Sequence, residues 1–346
     1  MLVYASLKMP SRIAMTFAFS FLPVICFLTA LYVYDVFKLV RPVRLGLMIA
    51  WGIFAAACAY YLNTWLAGAL RLELSDFSRY LAPLTEESLK SLAILLLIQR
   101  KKVGFLVDAA IYGFGVGAGF ALAENLVYLL QLGMGASILV WILRGFGTAL
   151  MHGGSTALFA MIMLGSLQMD RRTAISILAA FVTALMFHSA FNHFLLPPLI
   201  QTLILLAVLP LLFMLVFHRS NLMMQDWLEI EFSNEIDMLR MLRQGAFGNT
   251  RAGAYLSGLR QHFSPEVIVD LYCYLSLYLE LSVKAKRNLM LRENGFAAVG
   301  EPENPDKLRE LRNLRQLVGK AGEMAIQPLV RMNHRELWKL SLLNEK

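Results

Sequence analysis

The sequence predicts an all-α polytopic membrane protein: a bundle of about seven transmembrane helices followed by a soluble, mainly helical domain. Three observations predict it. Hydrophobic residues make up 58% of the 346 residues and charged ones only 16%, against about 45–50% and about 25% in soluble domains. The charge is also unevenly placed, since residues 1–217 hold 22 of the 56 charged side chains and the shorter 218–346 holds 34. Several runs reach the roughly 20 apolar residues that a spanning helix needs. A disordered, fibrous or ordinary cytosolic chain is excluded. The expected division is a transmembrane domain over 1–217 and a cytosolic domain over 218–346.

The spans follow in order. Residues 14–34 and 45–70 carry no formal charge and predict helices one and two. Lys8 and Arg12 precede the first, as in a signal peptide, but its uncharged core exceeds the about 7–15 residues of such a segment, so it is read as retained. Residues 80–99, with Glu86, Glu87 and Lys90, predict the third span, and 104–130, with Asp108 and Glu124, the fourth. The fifth covers 138–169 and holds Arg144 and His152. Residues 173–217 are free of formal charge, and Pro197 and Pro198 divide them into helices six and seven, because proline lacks the N–H that a continuing helix requires. Beyond them, Ser264-Pro265-Glu266 is a helix start, with serine as cap and proline in the first turn. Gly295 is a stop. Residues 301–306 lead into a further helix with Leu308, Leu311, Leu314 and Leu317.

Loop charge orients the bundle. Lys38, Arg41, Arg44, Arg100, Lys101, Lys102, Arg171 and Arg172 lie in alternate connections, and such basic loops stay cytoplasmic. The tail is then inside and the N-terminus outside, although Lys8 and Arg12 argue the other way. The net charge of +8 is thus explained by topology. No basic stripe interleaved with aromatics points to nucleic acid. Cys26, Cys58 and Cys273 form neither a disulfide framework nor a metal knuckle.

Ionisable groups inside a membrane are expensive and default to function. Four successive spans each carry a polar pair four residues apart, and so on one helix face: Glu86 and Lys90, Glu124 and Tyr128, His152 and Thr156, His188 and Asn192. Counted from the cytoplasmic ends at about 1.5 Å per residue, the key groups lie about 20 to 30 Å up. That common depth places them around one cavity in the outer half of the membrane. Gly113, Gly115, Gly117 and Gly119 lack the order of a phosphate loop and predict close helix packing instead. Arg144 either anchors at the outer interface or neutralises a site carboxylate.

Peptide hydrolysis needs a base for water and donors for the tetrahedral oxyanion. A carboxylate in low dielectric is a better base than one in water and can return its proton to the leaving amine. Histidine and asparagine N–H groups suit the oxyanion. No serine or cysteine accompanies the histidines as a nucleophile.

The same residues match motifs: Glu86-Glu87-Ser88-Leu89-Lys90 is E-E-x-x-K, Glu124-Asn125-Leu126-Val127-Tyr128 is E-N-x-x-Y, and His152 and the His188 to Asn192 run, H-x-x-x-N, follow in order. Over about residues 80–195 the set resembles the PrsW family of intramembrane proteases, distant relatives of the CAAX prenyl endopeptidases. The resemblance implies site-1-type cleavage of a membrane-protein substrate such as an anti-sigma factor, in a bacterial cytoplasmic membrane. It implies Glu86 as the leading base, with Glu87, Glu124, His152, His188 and Asn192 completing the site and Lys90, Asn125 and Tyr128 supporting it; Arg144, outside the motifs, is a further supporting candidate from its place in the fifth span. The endopeptidases' own E-E-x-x-x-R and F-x-x-x-H patterns are absent, so prenyl specificity is not carried over.

A zinc site is the alternative, with His152, His188 and Glu124 as ligands. The missing H-E-x-x-H signature and the presence of Asn192, a poor zinc ligand and a good oxyanion donor, favour a metal-free glutamate mechanism. Two other classes remain at this level: a transporter or channel relaying protons through the same groups, and a noncatalytic scaffold.

Overall fold

A computed structural model of the chain describes residues 2–133, 136–169, 171–330 and 334–344, without the side chains of 2–12, 230, 334 and 344. Lys8 and Arg12 therefore lie outside the described side chains. Every regular element among the described residues is helical, with no strand. They divide into two compact units, Met1–Ser220 and Asn221–Lys346.

The first unit contains α1 (Leu2–Val33), α2 (Pro42–Leu70), α3 (Ala82–Gln99), α4 (Leu106–Leu132), α5 (Ile138–Gln168) and α6 (Thr173–Asn192). It also contains the start of α7 (Pro198–Arg243). Six of these are long and apolar enough to cross a membrane. The expected third span is the exception. It forms as a π-helical turn, Phe77–Leu81, running into α3, and Glu86, Glu87 and Lys90 keep its composition below the apolar measure that the other six meet.

Asp108 starts α4 by accepting the backbone N–H groups of Gly104 and Phe105 at 2.9 and 2.8 Å. The carboxylate thus caps the helix start. From there α4 runs through the centre of the unit, between α2 and α5. Two glycines permit the approach. A Cβ on Gly119 would lie 2.1 Å from the Ile49 carbonyl oxygen of α2, and one on Gly117 would lie 2.1 Å from the His152 carbonyl oxygen of α5. Small residues let the backbones meet, the usual means of helix association in lipid.

Prolines 197 and 198 separate α6 from α7 as expected. The seventh helix does not end near Phe217, however. It continues unbroken to Arg243, because a change from apolar to polar composition does not stop a helix when no glycine or proline intervenes.

In the second unit, Ser264 caps α9 (Pro265–Glu293) through the Val267 N–H, and Gly295, with φ +78°, follows its end. α8 (Arg251–Gly258), α10 (Asn304–Ile326) and α11 (His334–Ser341) complete the unit. Leu311 and Leu314 of α10 are buried while Leu317 is 63% exposed, as a three-residue spacing drifts off the face of a 3.6-residue helix. Beside this core, the Lys286 and Lys339 ammoniums are buried against Glu231, Glu235 and Glu336.

Candidate active site

α3, α4, α5 and α6 bring their ionisable groups to one place, and Lys90 is the hub. Its ammonium lies 2.5 Å from Glu87 Oε1, 3.2 Å from His152 Nδ1 and 3.4 Å from Ser155 Oγ, and 5.0 Å from the centre of the Phe120 ring. The face-sharing pair expected from spacing was Glu86 with Lys90; the structure pairs Lys90 with Glu87 instead. Both spacings meet on a helix, and the bundle selects the residue three positions away.

Glu87 is enclosed. The same oxygen accepts Ser155 Oγ at 3.0 Å and faces His188 Nδ1 at 2.7 Å. A carboxylate only accepts, so Nδ1 carries a hydrogen, and in the neutral imidazole His188 Nε2 keeps its lone pair. That nitrogen faces Glu86 Oε2 at 3.8 Å. The opposite tautomer holds at His152. An ammonium only donates, so Nδ1 accepts from Lys90, and the Nε2–H donates to Glu124 Oε2 at 3.0 Å. The two imidazoles stand 4.8 Å apart, nearly perpendicular.

Glu124 has a second partner, Arg144 Nη2, at 3.2 Å. Arg144 is fixed from two more sides: its Nε donates to Asn125 Oδ1 at 3.0 Å and its guanidinium lies 3.6 Å from the centre of the Tyr128 ring. Asn125 in turn donates to the Ser20 carbonyl at 2.8 Å. Of the two roles open to Arg144, the structure selects pairing with a site carboxylate. Three carboxylates thus meet two cations. Lys90 takes Glu87 and Arg144 takes Glu124, so Glu86 is left with an amide and an imidazole. The amide is Asn63 Nδ2 of α2, 3.3 Å from Glu86 Oε1.

Two expected members are engaged elsewhere. Thr156 Oγ1 bonds back to the carbonyl of His152 at 3.1 Å; Ser155, one position earlier, is the hydroxyl that enters the cluster. Asn192 caps the π turn before α3. Pro83 has no N–H for the Arg79 carbonyl, and the Ala82 N–H is drawn to Phe77, which leaves the Ser78 carbonyl free as well. α6 satisfies both, with Ser189 Oγ on Arg79 O at 2.6 Å and Asn192 Nδ2 on Ser78 O at 2.9 Å.

The family model described as PrsW family intramembrane metalloprotease matches residues 42–218, the stretch that holds every group of this cluster. The chain belongs to the PrsW family. It is an integral membrane protein and an intramembrane peptidase, and its substrate class is membrane proteins. No curated protein and no solved structure matches the chain.

The PrsW description implies a metal, and the donor set fits one in kind. Glu86, His152 and His188 bring one ligand atom each within 4.8 Å of one another, a two-histidine, one-carboxylate set of the type zinc accepts. The carboxylate differs from the expected one. Glu86 belongs to this trio, whereas Glu124, expected from the sequence, spends its charge on Arg144 and His152. His188 is ready, since Glu87 orients its ring from behind as carboxylates do in metal sites. His152 would first have to release either Lys90 or Glu124.

Sequence reasoning missed Asn63 and Ser155. Asn63 had a signal, because it is the single amide in the charge-free run 45–70, but a search restricted to ionisable groups passes over it. Ser155 lay one residue from the hydroxyl that spacing selected.

Proposed function

We propose that this PrsW-family protease cleaves a membrane-protein substrate with a water activated by Glu86, in site-1-type proteolysis of which an anti-sigma factor is the model substrate. The observation that carries this reading is the pairing pattern: Glu86 is the carboxylate of the three without its own cation, and its Oε2 lies 3.8 Å from the free lone pair of His188 Nε2. Two acceptors at that separation can each take one hydrogen of the same water. Glu86 removes a proton as the oxygen attacks the scissile carbonyl carbon, the C–N bond breaks, and the proton passes from Glu86 to the departing amine. His188, held by Glu87, orients the water. The oxyanion falls to the Arg144 guanidinium, whose Nη2 lies beside Glu124 without a hydrogen bond of its own. Asn192, committed to Ser78, is assigned to holding the π turn. Alternating loop charge supports a cytoplasmic tail, in a bacterial cytoplasmic membrane.

The Glu86, His152 and His188 trio favours a second reading, in which these residues hold a zinc ion. Such an ion supplies a bound water that ionises near neutral pH and polarises the carbonyl. The engaged nitrogens of His152 and the Lys90 cation 3.2 Å from one of them favour the metal-free version.

Membrane proteomes of wild-type and Glu86→Gln cells test the assignment. An uncleaved membrane protein accumulates in the variant if Glu86 is the base, because an amide cannot take the proton; full cleavage by Glu86→Gln rejects the role. With purified protein, activity that survives strong chelators supports the metal-free version. Stoichiometric zinc, lost with activity and restored with it, rejects that version and leaves the protease standing.

A further inference from the structure

Asn63 lies on α2, among lipid-facing neighbours: Tyr61 is 74% exposed and Trp65 66%. A side-chain amide in such a place is unfavourable unless both its ends are bonded. Both are. Thr85 Oγ1 of α3 lies 2.6 Å from Asn63 Oδ1, and Asn63 Nδ2 lies 3.3 Å from Glu86 Oε1. The same hydroxyl is 2.9 Å from the Ala82 carbonyl of its own helix, the longer of its two contacts. A carboxylate accepts and does not donate, so the amide must turn its N–H to Glu86. The Thr85 hydroxyl, donating to the other end, locks that orientation. A second strap, Trp51 Nε1 on the Leu89 carbonyl at 3.0 Å, holds the same two helices together further along.

We infer that Asn63, set by Thr85, is a positioning residue that aims the Glu86 carboxylate: it occupies Oε1 and leaves Oε2 toward His188. The inference rests on the reading of Glu86 as the base, and the test separates the two.

Full-length protein in lipid nanodiscs, without substrate, is compared by infrared spectroscopy. The difference between wild type and Glu86→Gln isolates the Glu86 carboxyl band. Taken in an Asn63→Ala background, that band is displaced, because the carboxylate has lost a donor. Thr85→Val displaces it the same way and Thr85→Ser restores it. In parallel, cleavage of a fluorophore-labelled single-span membrane peptide by Asn63→Ala shows kcat lowered about tenfold, the equivalent of one modest hydrogen bond, with KM unchanged. A band unmoved by Asn63→Ala overturns the inference. If that variant fails to fold, equal bands in Thr85→Val and Thr85→Ser overturn it. A displaced band alongside cleavage that survives Glu86→Gln keeps the Asn63 contact and removes the base assignment; an unmoved band with cleavage lost in Glu86→Gln does the reverse.

Discussion

Three polar atoms surround the Lys90 ammonium within 3.4 Å, and each belongs to a different side chain. Removing the cation leaves the Glu87 charge buried with only Ser155 and His188 as donors, and breaking a buried ion pair typically destabilises by about 3–5 kcal/mol. Lys90→Met is expected to do so in chemical denaturation of the purified protein. Lys90→Met/Glu87→Gln is expected to regain part of the loss, because the stranded charge is gone; a double variant no more stable than the single would show that Lys90 acts otherwise. Asn192→Ala differs in kind. It strips the Ser78 carbonyl of its donor, at about 1–3 kcal/mol for a buried acceptor. Its effect on cleavage should follow its effect on stability, whereas an oxyanion donor would lower turnover without lowering stability.

At the level of elements, the site depends on how near α4 can come to α5. Gly117 stands against the carbonyl of His152, so any side chain there pushes the backbone of that histidine away. Gly117→Ala should destabilise by about 1–3 kcal/mol, the range for overpacking, and lower cleavage with it. Gly46→Ala in α2, where an added Cβ meets nothing within 4 Å, is the matched control and should leave both unchanged. The π turn is the second such device. Pro83 withdraws an N–H, the turn widens, and α6 is recruited to the freed carbonyls through Ser189 and Asn192. That recruitment lies one helical turn from His188 and sets its approach to Glu87.

For the molecule as a whole, the loop charges make a direct prediction. Reporter fusions after Gln99 and after Phe217 should both report cytoplasm, and a signal from the opposite side at either would reverse the topology. The second unit carries a pH prediction of its own. Burial alone would raise the Glu336 carboxyl, but the Lys339 ammonium, with Lys286 and the Tyr278 hydroxyl, outweighs it and holds the group below its usual range. Burial, and then the charge of Glu336, push Tyr278 well above the usual phenol range. A depressed carboxyl stabilises above its unfolded pKa of about 4.3 and loses that contribution as pH falls through the folded one; a raised phenol stabilises below about 10 and loses it as pH climbs. Exchange protection factors of α9 in the full-length protein should therefore hold between about pH 5 and 9 and fall on either side. Tyr278→Phe should remove the alkaline decline.

What the sequence determined by itself are the properties that run along one dimension. Uncharged run lengths located the helices, prolines 197 and 198 separated α6 from α7, the Ser264-Pro265 start was legible from capping chemistry, and the ordered motifs carried the family. Each of these depends on neighbours in the chain. Partner choice does not. Glu86 and Glu87 point about 100° apart on one helix, and residues three and four positions before Lys90 both lie within its reach, so only the rotation of α3 against α5 and α6 decides that Glu87 takes the cation and Glu86 does not. The same rotation brings in Ser155 rather than Thr156, and Glu86 rather than Glu124 beside the two histidines. Asn63 sits 23 residues before Glu86 in a charge-free run, and its contact with Glu86 exists only because α2 packs against α3. Side-chain contacts between helices are set by how backbones fit together in three dimensions, and the spacing of residues along each helix leaves that fit open.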